Sequence, residues 1–280
     1  MQRQTMMTTY GKSKPWMVVG DCVTGAIHIR QERICQDAIY VHSLNPKYAL
    51  ACVADGHGSA SCPYSDEGAQ IAVDIVGKLL SGILEDDTDP LATLSAHKDI
   101  WLPKQIETHW KDAVRSTHAL KWRKDQDNHE DQDKFPYILY GTTLLALVAT
   151  NSFVFALQIG DGNILIVNQD GSARPILSNA EGSISIGEDT ESLCMDDAWK
   201  YIQTQIIPWN DESNGMFLLS TDGYANSFTD TKGFIKAGTD FHRIWQEEGH
   251  EYIRDNLSEW LRQSSDKGSG DDIALALIAR

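Results

Sequence analysis

Positive charge is scarce in this chain. It has 24 lysines and arginines against 40 aspartates and glutamates, a formal net charge of −16 over 280 residues. Nucleic-acid binding depends on basic patches that neutralise phosphates, so no nucleic-acid partner is expected. Long apolar runs are missing as well: none approaches the roughly 18 to 20 residues needed to span a bilayer. The N-terminal stretch MQRQTMMTTYGKSKPW has neither the apolar core nor the small-residue cleavage site of a secretory leader. We therefore expect no membrane association, with residues 1–15 as a flexible tail ahead of one domain over 16–280. Cysteine is sparse and scattered, at Cys22, Cys35, Cys52, Cys62 and Cys194, with no CxxC pair and no Cys/His ligand spacing. Such a set suits the reducing cytoplasm better than a disulfide scaffold. Cys52 reads as a small core residue and Cys35 as a structural one. GxxxxGK[ST], HExxH and GxSxG are also absent, which removes support for nucleotide-loop, zincin and serine-hydrolase chemistry.

Apolar strands that end in carboxylates recur along the chain. The strand-like run Tyr48 to Ala54 stops at Asp55-Gly56-His57-Gly58, where two glycines let the backbone bend around a common point. Met216 to Thr221 ends in Asp222-Gly223. Gly160-Asp161-Gly162-Asn163 lies between the apolar runs Phe153–Ile159 and Ile164–Val167, and Gly268-Ser269-Gly270-Asp271-Asp272 leads into Ile273–Ala279. One Asp-Gly is a common turn pair, but several carboxylates at strand ends supply the oxygen ligands that a hard divalent ion takes.

Periodicity predicts strands near 16–20, 38–43, 48–54, 140–149, 153–159, 163–167, 172–177, 199–207 and 216–221, before the last strand at 273–279. A helix is expected at 64–84, with Ala72, Ile75, Val76, Leu79, Leu80 and Ile83 on one face and Ser65-Asp66-Glu67 capping its start. A second is expected from Pro103 to Arg123 with Trp110, Ala113, Val114, Thr117 and Leu120 inward, and others near 240–247 and 250–263. Asn168 to Gly171 reads as a hairpin turn. The acidic runs 85–89 and 125–133 read as solvated loops. Strands that outnumber helices and are joined largely by hairpins argue an α+β domain.

Six segments, taken in chain order, resemble the protein phosphatase 2C (PPM) family of metal-dependent Ser/Thr phosphatases, in particular its compact bacterial members. They are CQDA at Cys35–Ala38, VADGHG at Val53–Gly58, GTTLLALV at Gly141–Val148, IGDGN at Ile159–Asn163, LLSTDG at Leu218–Gly223 and GDDIALALI at Gly270–Ile278. The resemblance implies two packed antiparallel β-sheets flanked by helix pairs, a four-layer α-β-β-α sandwich with metals at one end. It implies hydrolysis of phosphoserine and phosphothreonine by direct attack of a hydroxide bridging two Mn²⁺ or Mg²⁺ ions, with a phosphorylated protein as substrate and a Ser/Thr kinase opposing it. Carried over by position, Asp55 resembles the bridging carboxylate, the carbonyl of Gly56 a further ligand, and Asp222 and Asp271 the carboxylates on the other ion. Asp37 resembles an acid that orients water, and Asp161 a ligand to a third, weaker ion, with Thr143 nearby. His57 resembles the acid that protonates the leaving oxygen, and residues 178–199 a flap beside the site.

Two departures accompany the resemblance. Gln36 stands where many members have Glu, which keeps a carbonyl oxygen but loses a charge. Many members also carry a phosphate-gripping Arg four residues before that Glu. Here Arg33 is three before Gln36 and Arg30 six before, so His28, Arg30 and Arg33 all remain candidates. Two alternatives stand beside an active protein phosphatase: a catalytically silent pseudophosphatase acting as a binding module, and a hydrolase of small phosphate esters. Loss of Asp55, Asp222 or Asp271 would favour the silent reading, and all three are present.

Overall fold

Fully apolar strands such as Tyr48–Ala54 need apolar cover on both faces, because successive side chains point to opposite sides of a sheet. The computed structural model, which describes residues 14–43, 47–122, 135–177, 190–210 and 215–280, supplies that cover with four layers. In one sheet β1 (Met17–Val23), β10 (Ile273–Ala279), β9 (Met216–Ser220), β6 (Asn163–Val167) and β7 (Ala173–Pro175) lie side by side. In the other the order is β2 (Ala38–His42), β3 (Tyr48–Ala54), β4 (Leu144–Thr150), β5 (Phe153–Ile159) and β8 (Gln203–Pro208). Every pairing within the two sheets is antiparallel.

Alternation along β3 divides the core. Ala49, Ala51 and Val53 face Phe217, Leu219, Ala274 and Ala276 of the other sheet. Leu50, Cys52 and Ala54 face outward under α2 (Ser65–Asp86) and α4 (Trp101–Trp122), among Val73, Val76, Leu80, Trp110 and Val114. Across the molecule, Leu218, Leu275 and Leu277 pack outward against Phe241 and Trp245 of α6 (Thr231–Glu248) and Ile253, Leu257 and Leu261 of α7 (His250–Lys267). Trp110 Nε1 donates to the Gly68 carbonyl at 2.9 Å and locks α4 onto α2.

The expected strands are present, with shifts at their ends. Residues 137–140 form a 3₁₀ turn, so β4 begins at Leu144 instead of 140, and β8 begins at Gln203 after a 3₁₀ turn at Ala198–Lys200. The helix expected near 240–247 starts earlier, at Thr231, where the Asp230 side chain accepts from Gly233 N at 2.8 Å. Ser65 does not cap α2; its Oγ accepts from Gly58 N at 3.2 Å instead. Leu120, expected inward, is exposed. Three helices lay outside the expectation: α1 (Ala26–Arg30), α3 (Pro90–His97) and α5 (Asp222–Ala225). The expected tail lies largely, and the 125–133 loop wholly, outside the described residues. Among the described residues no helix is long and apolar enough to cross a membrane.

Candidate active site

Register brings the chemistry-bearing segments to one end of both sheets. Ala38 lies opposite Ala54, Leu144 opposite Ile159, Ser220 opposite Asn163 and Val23 opposite Ile273. The carboxylates that follow or precede these residues therefore gather at a shared rim. Two hydrogen bonds tie the sheets together there: Thr221 Oγ1 donates to Asp37 Oδ2 at 2.6 Å, and Gln36 N donates to Asp272 Oδ2 at 2.7 Å.

A cavity of about 300 Å³ opens at this rim, lined by His28, Arg33, Gln36, Asp55, Gly56, His57, Gly58, Asp161, Thr190, Asp222, Asp271 and Asp272. A larger cavity of about 570 Å³ lies at the other end of β3, beside Tyr48, Glu85 and Asp87, away from every motif at the strand ends. The backbone of Asp55 is fixed on three sides, as Thr143 Oγ1 accepts from its N–H at 3.0 Å and its carbonyl accepts from Thr143 N and Thr142 Oγ1. Only the side chain is left to face the cavity. Gly56 cannot be larger, since a Cβ there would stand 2.6 Å from the Ser65 carbonyl oxygen. Gly160, at φ +98°, turns the chain so that Asp161 faces the cavity, where Asp161 Oδ2 accepts from Thr190 Oγ1 at 2.8 Å.

These acids are uncomfortable without a counter-charge. Burial, then the charges of neighbouring acids, pushes Asp37 and Asp55 well above the ordinary carboxylate range, although Thr221 partly offsets this at Asp37. Burial also raises Asp222, whose carboxyl hydrogen-bonds that of Asp55. Carboxyl groups forced to share a proton are a natural seat for a cation. Among the described residues no three His, Cys, Asp or Glu side chains converge into a group that holds an ion unaided. The donor set instead fits a hard ion that takes a few carboxylates and a carbonyl and completes its shell with water.

The structure sorts the sequence candidates. Asp55, Gly56, Asp161, Asp222 and Asp271 line the cavity with His57, Gln36, Arg33 and His28. Asp37 is not among the lining residues; it sits behind them, bonded to Thr221 and raising the Asp55 carboxyl through its charge. Thr143 is a packing and backbone-holding residue, nearly fully buried and not part of the lining. Arg30 faces a separate depression with Ile29, Arg262 and Asp266, whereas Arg33 donates to Gln36 Oε1 at 3.1 Å and to the Gly58 carbonyl. The described part of the flap, 190–199, is tied down: Leu193 N donates to Thr142 O, Lys111 Nζ to Met195 O and Trp199 N to Glu107 Oε2. Residues 178–189 lie outside the described residues.

Sequence reasoning missed Asp272. Its buried carboxylate accepts from Gly25 N at 2.6 Å, Gln36 N at 2.7 Å and His28 Nδ1 at 2.9 Å. The available signal was the doublet Asp271-Asp272 directly ahead of the last strand, of which only the first has a role by resemblance.

The carboxylate rim at the end of two antiparallel sheets defines a fold class with solved counterparts. The profile of the protein phosphatase 2C family matches residues 24–262. The chain belongs to that family. No curated protein matches it in sequence. Among solved structures, the S. agalactiae serine/threonine phosphatase is 17% identical, with a TM-score of 0.58 over 94% of this chain and 99% of that one. The catalytic domain of the serine threonine protein phosphatase PstP, in complex with two manganese ions, is 14% identical, with a TM-score of 0.55 over 95% and 98%. RsbX in complex with magnesium is 16% identical, with a TM-score of 0.51 over 96% and 97%.

Proposed function

We propose that the protein is a Mn²⁺- or Mg²⁺-dependent phosphoprotein phosphatase acting on phosphoserine and phosphothreonine, with residues 16–280 as one catalytic domain. The observation that carries this reading is the set of Asp55, Asp222 and Asp271 around one cavity, with burial and mutual repulsion raising Asp55 and Asp222. Family membership and the manganese and magnesium bound in the PstP and RsbX structures support it.

Asp55 and the Gly56 carbonyl would hold one ion, with Asp55 shared toward a second on Asp222 and Asp271; Asp161 would help a third. When bound, the ions supply Lewis-acid neutralisation of phosphate charge and lower the pKa of water toward neutrality. The chain's own groups do the rest. Asp37, behind Asp55, adds negative charge that strengthens the seat of a cation. Arg33, a permanent cation in the cavity wall, meets the phosphate oxygens. His57 delivers a proton to the departing Ser or Thr oxygen. A Ser/Thr kinase, acting in the cytoplasm, would supply the substrate.

Hydrolysis of a phosphothreonine peptide and of p-nitrophenyl phosphate with Mn²⁺, with Mg²⁺ and with EDTA tests the reading. Turnover that needs the metal and favours the peptide is expected. Metal binding without turnover would instead support a silent binding module, and preference for the small ester would move the substrate class.

A further inference from the structure

His28 and Arg33 lie on one wall of the cavity because the chain folds back between them. Arg33 N donates to the His28 carbonyl at 2.9 Å, which closes the turn after α1. Both side chains then connect through Gln36, Arg33 to its amide oxygen and His28 through Asp272 to its backbone N–H. The same cavity is lined by Asp55, Asp161, Asp222 and Asp271.

The imidazole is oriented, not merely present. Asp272 is itself fixed by Gly25 N and Gln36 N, and its Oδ2 stands 2.9 Å from Nδ1 of His28, so the ring is anchored through Nδ1. That leaves Nε2 as the free end of the ring. Nε2 has no hydrogen-bond partner among the described residues, and it is not one of the polar atoms sealed from solvent without a partner. His28 is nevertheless only 9% exposed and lines the cavity. A buried Asp–His pair lining a cavity rich in carboxylates, with one ring nitrogen unbonded, has no structural task that the Nδ1 bond does not already meet.

We propose that His28 contacts the phosphoryl group of the substrate through Nε2, beside Arg33, with Asp272 as the residue that positions it. Anchored on Asp272 through Nδ1, the ring turns its Nε2 edge toward a phosphate oxygen, and Arg33 offers an N–H from the same turn of chain. This rests on the phosphatase reading for its substrate, but phosphate recognition can be measured apart from turnover.

The probe is inorganic phosphate, bound to the full-length Mn²⁺-loaded protein and followed by calorimetry, and by inhibition of phosphopeptide hydrolysis. In His28→Asn the amide nitrogen can still reach Asp272 but nothing replaces Nε2. We expect its phosphate affinity and kcat/KM to fall about ten- to hundredfold, the range of one hydrogen bond to a charged group. Melting temperature and Mn²⁺ affinity should stay at wild-type values. His28→Gln, whose longer side chain places an amide nitrogen nearer the cavity, should recover part of the loss. Unchanged phosphate affinity in His28→Asn overturns the proposal, and so does a matching loss of Mn²⁺ affinity or thermal stability, which would mark a purely structural histidine. Wild-type protein that binds phosphate without turning over peptide would sink the phosphatase reading and leave His28 standing. Wild-type protein that binds no phosphate overturns the inference itself.

Discussion

His57 is held from behind. Its backbone N–H donates to the Gly141 carbonyl at 3.1 Å, and a Cβ on Gly141 would stand 2.7 Å from its ring. Burial lowers its pKa, with the nearby Asp161 charge acting in the opposite sense. A lowered pKa makes the imidazolium a stronger acid but a rarer species at neutral pH, which suits a donor acting only when an alkoxide is leaving. His57→Asn should cut kcat by about 10² to 10⁴ while leaving Mn²⁺ affinity intact; an unchanged kcat would remove His57 from the mechanism. At this scale the sequence was informative where an acid followed a strand next to glycine, as at Asp55, Asp161 and Asp222. It was silent on groups whose role is to hold those acids. Thr142 and Thr221 have no role assigned from sequence and Ser65 reads as a helix cap, yet they bond Asp55 O, Asp37 Oδ2 and Gly58 N across separations in the chain that no local pattern reveals.

Elements place the residues. The end of β3 and the start of α2 approach so closely at Gly56 and Ser65 that only hydrogen fits between them. Gly56→Ala should therefore destabilise the fold by about 1–3 kcal/mol, as overpacking does, and should weaken metal affinity by tilting the 55–58 turn. Chemical denaturation with and without Mn²⁺ checks this, and a variant as stable and as metal-avid as wild type would contradict it. Long helices and uniformly apolar strands were legible because their period extends over many residues, as in α2 with Ala72, Val76 and Leu80 buried on one face. Short helices were not. Asp89-Pro90 starts α3, with the Asp89 side chain accepting from Ala92 N at 3.1 Å, but the acidic run 85–89 masked it as a loop. The 26–30 helix has one buried residue, His28, and so carries no apolar stripe to read.

Across the whole molecule, the order of strands in the sheets was beyond local pattern, because β1 pairs with β10 through contacts more than 240 residues apart. The family resemblance implied two packed antiparallel sheets flanked by helix pairs, but no strand order within them. What the fold accomplishes is to crowd acids of one sign at a single rim, and this has a thermodynamic signature. An acid whose pKa is raised in the fold stabilises it fully below the unfolded value and loses that contribution as pH rises through the folded value. Asp37, Asp55 and Asp222 are all raised. Metal-free protein should therefore lose thermal stability between about pH 5 and about pH 8, starting above the ordinary aspartate pKa near 4. Mn²⁺, which takes the place of the shared protons, should raise Tm more at the higher pH. A metal-free Tm that climbs over that interval would contradict the shifts.

The central claim, that these carboxylates form one metal-dependent hydrolytic site, is tested most directly by Asp222→Asn. Mn²⁺ titration calorimetry and phosphothreonine-peptide hydrolysis would be run on variant and wild type, with Tm in EDTA as the control for folding. The account predicts that wild-type turnover vanishes in EDTA, and that the variant binds Mn²⁺ far more weakly and loses turnover. Its Tm in EDTA should equal or exceed that of wild type, since one repelled acid has been removed. A variant that keeps Mn²⁺ affinity and turnover, or a wild-type enzyme that works in EDTA, would contradict it.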